Sequence, residues 1–363
     1  MSDYVQTRVE NRTGTIILDR PKALNSLSLD MVRALASTLL AWRDDPAVDA
    51  VLIRSSSEKA LCAGGDIRFF HQVGQRTPQG GSALLEDFFT EEYALNHLIH
   101  FYPKPYIALM DGVVMGGGMG ISQGGPDCGL RIVTERTRMA MPEVNIGMFP
   151  DVGGSHFLAH APGRLGWYLG LTGMTIGAAD ALYVGLADVF VPSAQLAGLA
   201  GLDALIAATP GAALPAAIRS FITPFAAQAG GGELQARRAL IDRCFGAASV
   251  ADTMAALAQE ADPFAQKALA ALRQRSPLML CVTHELLTRA ASLGVADCLR
   301  LERALVRRTF EHGEILEGVR ALVIDKDNAP QWHPPALEQV TPQMVADFFA
   351  PVWPVHAHPL RWL

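Results

Sequence analysis

Tyr106-Ile-Ala-Leu-Met-Asp111-Gly-Val-Val-Met115-Gly-Gly-Gly-Met-Gly120 decides the fold class. It reads as a short apolar strand that runs into a glycine tract, which opens a helix. The same order recurs upstream. Ala50 to Arg54 is a short buried strand, followed after a loop by the glycine turn Cys62-Ala-Gly-Gly-Asp66. Earlier still, Thr15-Ile-Ile-Leu-Asp19 is a β-branched run stopped by Arg20-Pro21. Between them Ser28 can cap a helix on which Val32, Leu35, Leu39 and Trp42 recur at helical spacing, and Asp44-Asp45-Pro46 ends it. Residues 86–99 give another helix, and Val189 to Val191 a late strand. Strand alternating with helix predicts a layered α/β fold. Residues 205–235, rich in Ala, Pro and Gly, mark the clearest shift in composition. Helices are expected beyond it over 250–274, 278–291, 295–312 and 314–323. The expected division is therefore an α/β core over 1–205 and a mainly α-helical region over 206–363.

Composition excludes several function classes. Half of the 363 residues are hydrophobic and 18% are charged, enough apolar material for a large core. The net charge of −6 disfavours nonspecific nucleic-acid binding, which wants a basic excess. Five scattered cysteines with no CxxC pair argue against a disulfide scaffold or a cysteine-type zinc site and fit a reducing compartment. The start MSDYVQTRVENRTG, which resembles neither a signal nor a transit peptide, leads to the expectation of a cytoplasmic protein. The most apolar stretch, Leu196 to Ile218, is cut by Asp203, Pro210 and Pro215, so no membrane span is expected.

The chemistry concentrates in a few segments. Two glycine clusters follow strands, and glycine lets a backbone approach a ligand closely. Two N–H groups aimed at one carbonyl oxygen would make an oxyanion hole; a tight packed turn is the plainer reading of either cluster alone. The dinucleotide fingerprint fails, because Gly118 and Gly120 are followed by Gln123 where the third glycine belongs. Gly120-Ile-Ser122-Gln-Gly124 matches the nucleophile-elbow pattern, yet the strand ends some ten residues too early to place Ser122 at an elbow. Met141-Pro-Glu143-Val-Asn-Ile-Gly147-Met-Phe-Pro150-Asp151-Val-Gly-Gly154 sets two carboxylates in an apolar stretch. Desolvation raises a carboxylate's pKa and suits it to acid/base work or to nucleophilic attack on an acyl group. A capping Asp and an exposed Glu would produce the same letters. Glu91, Glu92, His97 and His100 suggest a metal site only weakly, since neither HExxH nor a paired ExxH is present.

Arg20-Pro-Lys-Ala-Leu-Asn25, Cys62-Ala-Gly-Gly-Asp-Ile-Arg68, Met115-Gly-Gly-Gly118 and Pro142-Glu143, taken in order, resemble the enoyl-CoA hydratase/isomerase (crotonase) superfamily. Glu91-Glu92-Tyr93, Phe149-Pro-Asp-Val-Gly-Gly154, Glu317-Gly-Val-Arg-Ala321 and Ile324-Asp-Lys-Asp327 are similar to its 3-hydroxyisobutyryl-CoA hydrolase branch, and Trp332, Pro334 and Leu337 continue the match. The resemblance implies a crotonase-like spiral of repeated ββα units with an α-helical C-terminal region. It implies an acyl-CoA substrate, with coenzyme A part of that substrate and no separate cofactor or metal.

By that resemblance the N–H groups of Gly65 and Gly117 hold the thioester carbonyl oxygen. Glu143 is the catalytic carboxylate, Asp151 helps orient the 3-hydroxyl and reacting groups, and Glu92 lines the substrate pocket with Gly117. Lys22, Ala23, Leu24, Ala63, Gly64, Asp66, Ile67 and Arg68 line the CoA path, and Lys22, Arg68 and Lys104 are candidates for its phosphates. Hydratases of the superfamily carry a second glutamate just after the glycine turn, where this chain has Gly120. The expected activity is hydrolysis of a 3-hydroxyacyl-CoA thioester, 3-hydroxyisobutyryl-CoA or 3-hydroxypropionyl-CoA, as in valine breakdown. Isomerisation or hydration of an enoyl-CoA through Glu143 alone, and acyl-CoA binding without catalysis, are the alternatives. The residues do not choose between attack by Glu143 and activation of a water. The superfamily implies trimers or hexamers, although the long C-terminal helical region can cover that surface.

Overall fold

A computed structural model describes residues 2–77 and 81–363. Its strands are β1 (Val5–Glu10), β2 (Thr13–Leu18), β3 (Ala50–Ser55), β4 (Ala60–Cys62), β5 (Tyr106–Met110), β6 (Val113–Met115), β7 (Gly129–Val133), β8 (Arg138–Ala140) and β9 (Val189–Phe190). The chain lays them down in pairs, each pair followed by helix. The second strand of the later pairs builds a sheet ordered β4-β6-β8. The others form a six-stranded sheet ordered β1-β2-β3-β5-β7-β9. There β1 pairs antiparallel with β2, and the following neighbours are parallel. This is the expected α/β ββα architecture. After β9 every element is helical, and among the described residues no helix is long and apolar enough to cross a membrane.

Contacts divide the chain into two units, differently from the composition boundary near 205. One comprises 1–65, 95–139 and 176–235; the other comprises 66–94, 140–175 and 236–363. The Ala-rich stretch stays with the sheets because its leucines and isoleucines cover them. Leu202, Ile206, Leu214, Ile218 and Ile222 pack with Ala50, Ile107, Leu130 and Ile132. In the second unit the helix expected over 250–274 is two, Val250–Ala258 and Pro263–Leu272, because Asp262 caps a new start with proline at its first turn.

Local chemistry explains the loop before the first long helix. Ser28 caps Leu29–Arg43, accepting from the N–H of Met31, and Val32, Leu35, Leu39 and Trp42 are buried as their spacing predicts. Asn25 is fully buried with φ 55°, a left-handed conformation that asparagine tolerates better than most residues. Its Nδ2 donates to Ser55 Oγ (2.8 Å) and to the carbonyls of Leu61 (3.0 Å) and Ala60 (3.2 Å), while Oδ1 accepts from the N–H of Arg20 (2.7 Å). Asn25 thus ties the Arg20–Leu24 loop to β3 and β4. Asn25→Ala leaves these buried groups unpaired and is expected to lower unfolding stability by about 3 kcal/mol, read as a fall in the urea midpoint.

Candidate functional site

In the first unit two glycine turns abut. Ala63 N–H donates to Leu24 O (3.0 Å) and Leu27 N–H to Gly64 O (2.8 Å), so the 22–24 and 63–65 loops are held together. Gly64 has φ 103°, and a Cβ there would stand 3.3 Å from Met115 O and 3.7 Å from Gly117 N. A Cβ on Gly118 would lie 2.2 Å from Cys62 O, closer than any real contact. Only glycine permits this approach of backbone to backbone. Gly117 begins a single helical turn, Gly117–Gly120, where the first N–H groups lack partners within the helix. Among the described residues no backbone hydrogen bond uses the N–H of Gly65 or of Gly117. Ser122 follows that turn, buried, with its hydroxyl donating to Met119 O (2.9 Å). It stands on no strand end, which removes the elbow reading.

Lys22 and Leu24 are exposed and Ala23 is half-buried. Lys104, a phosphate candidate by sequence, donates from Nζ to the carbonyls of Trp42 (2.6 Å) and Asp45 (2.8 Å) and so holds the end of the Leu29–Arg43 helix. The rings of His97 and His100 pack against Phe101.

The second unit gathers the carboxylates. Asp66 caps the helix Ile67–Arg76, accepting from the N–H of Phe69 (3.3 Å), and Arg68 donates to Val323 O (3.2 Å). These two side chains thus have structural roles beside the expected one, and Ile67 is half-buried. Glu92 comes from the helix Ala83–His100, Glu143 opens the 3-10 turn Glu143–Ile146, and Asp151 precedes the helix Gly154–Ala159. All three are buried. Asp151 Oδ2 accepts from the hydroxyl of fully buried Tyr93 at 2.6 Å. Glu143 Oε2 and Glu92 Oε1 have no hydrogen-bond partner.

The electrostatics follow from burial and shared charge. Burial, then the nearby Asp151, pushes Glu92 well above the usual carboxylate range. Burial also raises Glu143 strongly, with Asp151, Glu92 and Glu302 adding like charge. Asp151 rises to about 7, burial outweighing the Tyr93 hydrogen bond that favours its charged form. The three carboxylates therefore titrate as an interacting set rather than singly.

Sequence reasoning passed over four residues here. Tyr93 stood in a quoted motif without a role. Glu302, fully buried on the helix Val295–His312, accepts from the N–H of Gly153 (2.8 Å), the N–H of Ser155 (3.0 Å) and the Ser155 hydroxyl. Between Asp151 and Gly153, Val152 holds φ 56°, a strained value for a β-branched residue. The neighbouring Arg303, buried, donates to Thr90 Oγ1 (2.9 Å) and to Glu86, which fastens the Glu92-bearing helix to the Glu302-bearing one. Nothing in the letters around Glu302 marks it: its partners are about 150 positions away in the chain. The Glu317…Asp327 motif is an ion-pair cluster in which Arg320 bonds Glu317, Asp325 and Asp327.

A family model for enoyl-CoA hydratase/isomerase matches residues 13–349. The mitochondrial 3-hydroxyisobutyryl-CoA hydrolase of Gallus gallus is 37% identical over 344 residues, covering 93% of this chain and 86% of that protein. Among solved structures, a carnitinyl-CoA dehydratase from Mycobacterium thermoresistibile aligns with a TM-score of 0.88 at 38% identity, covering 97% of this chain and 98% of that one. An enoyl-CoA hydratase from Rhodobacter sphaeroides 2.4.1 aligns with a TM-score of 0.86 at 40% identity, covering 96% and 98%.

Proposed function

Because this chain belongs to the enoyl-CoA hydratase/isomerase family, we propose that it hydrolyses a short-chain 3-hydroxyacyl-CoA thioester, 3-hydroxyisobutyryl-CoA or 3-hydroxypropionyl-CoA, to the free acid and CoA. The observation that carries this reading is the buried pair in which Tyr93 holds one oxygen of Asp151 while Glu143 keeps an oxygen without a partner. The first is arranged to bind and the second to react.

In this mechanism the N–H groups of Gly65 and Gly117 polarise the thioester carbonyl and hold the oxyanion of the tetrahedral intermediate. Each donor of this kind contributes about 10²–10³ in rate. Glu143 either attacks the carbonyl carbon, giving a mixed anhydride that water then hydrolyses to the free acid and Glu143, or takes a proton from a water that attacks directly; in both routes CoA leaves as the thiolate. Asp151 Oδ1 accepts from the substrate 3-hydroxyl. Glu143 must be ionised for either route, and its raised pKa makes the rate climb with pH above the ordinary carboxylate range. Gly120 supplies no second acid for adding water to a double bond, which favours hydrolysis over hydration.

The test is CoA release, followed with a thiol reagent, from 3-hydroxyisobutyryl-CoA and from isobutyryl-CoA. A site built to bond the hydroxyl leaves polar groups unpaired when the hydroxyl is missing, so a preference of at least about 10³-fold for the hydroxylated substrate is expected. Equal rates would remove Asp151 from recognition. No release from either, with conjugation of a 3-enoyl-CoA instead, would make the protein an isomerase.

A further inference from the structure

The face of the six-stranded sheet that carries Thr13, Thr15, Leu52, Arg54, Leu109 and Ile132 is only partly covered. Pairing register puts these residues together: Arg8 faces Thr15, Thr15 faces Leu52, and Leu109 faces Ile132. Side chains two apart on one strand share a face, so Arg54 stands beside Leu52. The helix Leu214–Ile222 covers the β7 side of this face. Over β1–β3 a cavity of about 320 Å³ remains, lined also by Leu196, Leu199 and Leu202. That volume lies at the lower end of the range for ligand sites.

Its polar groups are unevenly matched. Arg8 has Glu10 at 3.5 Å, and the Asp203 carboxylate accepts from Asn11 Nδ2 at 2.9 Å and from the N–H of Ala204 at 2.8 Å. Arg54 is different. Among the described residues no carboxylate pairs with it, and its guanidinium has one long bond, to Ser55 O at 3.4 Å. Burial, and repulsion from Arg8, both disfavour its charge. Thr13, 3% exposed, lines the same cavity with a hydroxyl that bonds nothing. A half-buried cation with unused donors beside an orphaned hydroxyl is costly unless an acceptor arrives.

We propose that this cavity binds a small monocarboxylate with an apolar tail, its carboxylate at Arg54 and its tail over Leu52, Leu109 and Ile132 beside Leu196 and Leu199. One unpaired guanidinium suits one negative charge, since Arg8 and Asp203 already have partners. The space admits a chain of about six to eight carbons. None of its lining residues belongs to the glycine turns or to the carboxylate set, and it stands whether or not the hydrolase reading does.

Calorimetric titration of the full chain with octanoate tests it. Octanoate is expected to bind at least about tenfold more tightly than octan-1-ol or octylamine. Arg54→Gln is expected to remove that preference, and Leu52→Trp, which fills the cavity, to abolish binding. Glu143→Gln should bind octanoate as the wild type does. Absence of octanoate binding, or binding unchanged in Arg54→Gln, overturns the proposal. Binding lost in Glu143→Gln instead places octanoate in the acyl-CoA site and overturns it equally. Arg54→Gln keeps the test decisive if Leu52→Trp fails to fold, because Arg54 makes no ion pair on which folding depends.

Discussion

Glu143→Gln is expected to reduce CoA release from 3-hydroxyisobutyryl-CoA by at least about 10³-fold while leaving the protein folded. Glutamine fills the same space but can neither attack the carbonyl nor accept a proton from water. Its effect on stability has the opposite sign. In the folded chain Glu143 is pushed above its unfolded value, chiefly by burial and then by Asp151. Folded protein therefore holds a proton that unfolded protein releases, and stability falls as pH rises from the unfolded value of about 4.5 toward the folded one. The variant lacks this ionisation. Its thermal midpoint should exceed the wild-type midpoint by a margin that grows from pH 5 to pH 8. An inactive variant with the same pH slope as wild type would mean that Glu143 is not the strained carboxylate of the set. An active variant would remove it from the chemistry altogether.

Much of the architecture was legible because its signals are local. The Tyr106–Gly120 stretch names its strand and turn, the Ser28 cap and the Val32-Leu35-Leu39-Trp42 stripe name their helix, and Asp262-Pro263 carries a start signal that a reading by periodicity alone runs through. β1 was missed because Val5–Glu10 buries only its first residue, so apolar alternation is absent. The division into units was hidden for a different reason. Residues 66–94 and 140–175 cluster with the C-terminal helices through contacts between distant parts of the chain, and composition reports only neighbours. In the same way Lys104 looked like a phosphate ligand because a lone lysine has no visible partner, whereas its partners are two carbonyls about 60 residues earlier. Glu143 and Asp151 were legible by motif. Their electrostatic setting was not, since it depends on Glu92, Tyr93 and Glu302 arriving from other helices.

Glu302→Ala is expected to cost about 3 kcal/mol of unfolding stability and to lower kcat by about 10²-fold. Glu302 touches no reacting atom in the proposed mechanism. It acts on the turn after Asp151, where its two oxygens accept from Gly153, Ser155 N and Ser155 Oγ. Removing them frees two buried N–H groups and releases the restraint on Val152, whose left-handed conformation the alanine variant has no reason to keep. Asp151 then loses the position that its Tyr93 bond alone cannot fix. The charge matters as well as the shape. Burial pushes Glu302 up to about 8 against the three donors that favour its ionised form, and its charge raises Glu143. Glu302→Gln keeps the volume, retains part of the hydrogen bonding and removes the charge. The acid limb of its pH–rate profile should therefore move to lower pH, because Glu143 ionises more easily without a like charge nearby. A purely structural Glu302 would lower stability in both variants and leave that limb where it is. A shift in the glutamine variant, with kcat falling more than KM rises in the alanine variant, would identify Glu302 as the residue that both holds the Asp151 turn and sets the ionisation of Glu143.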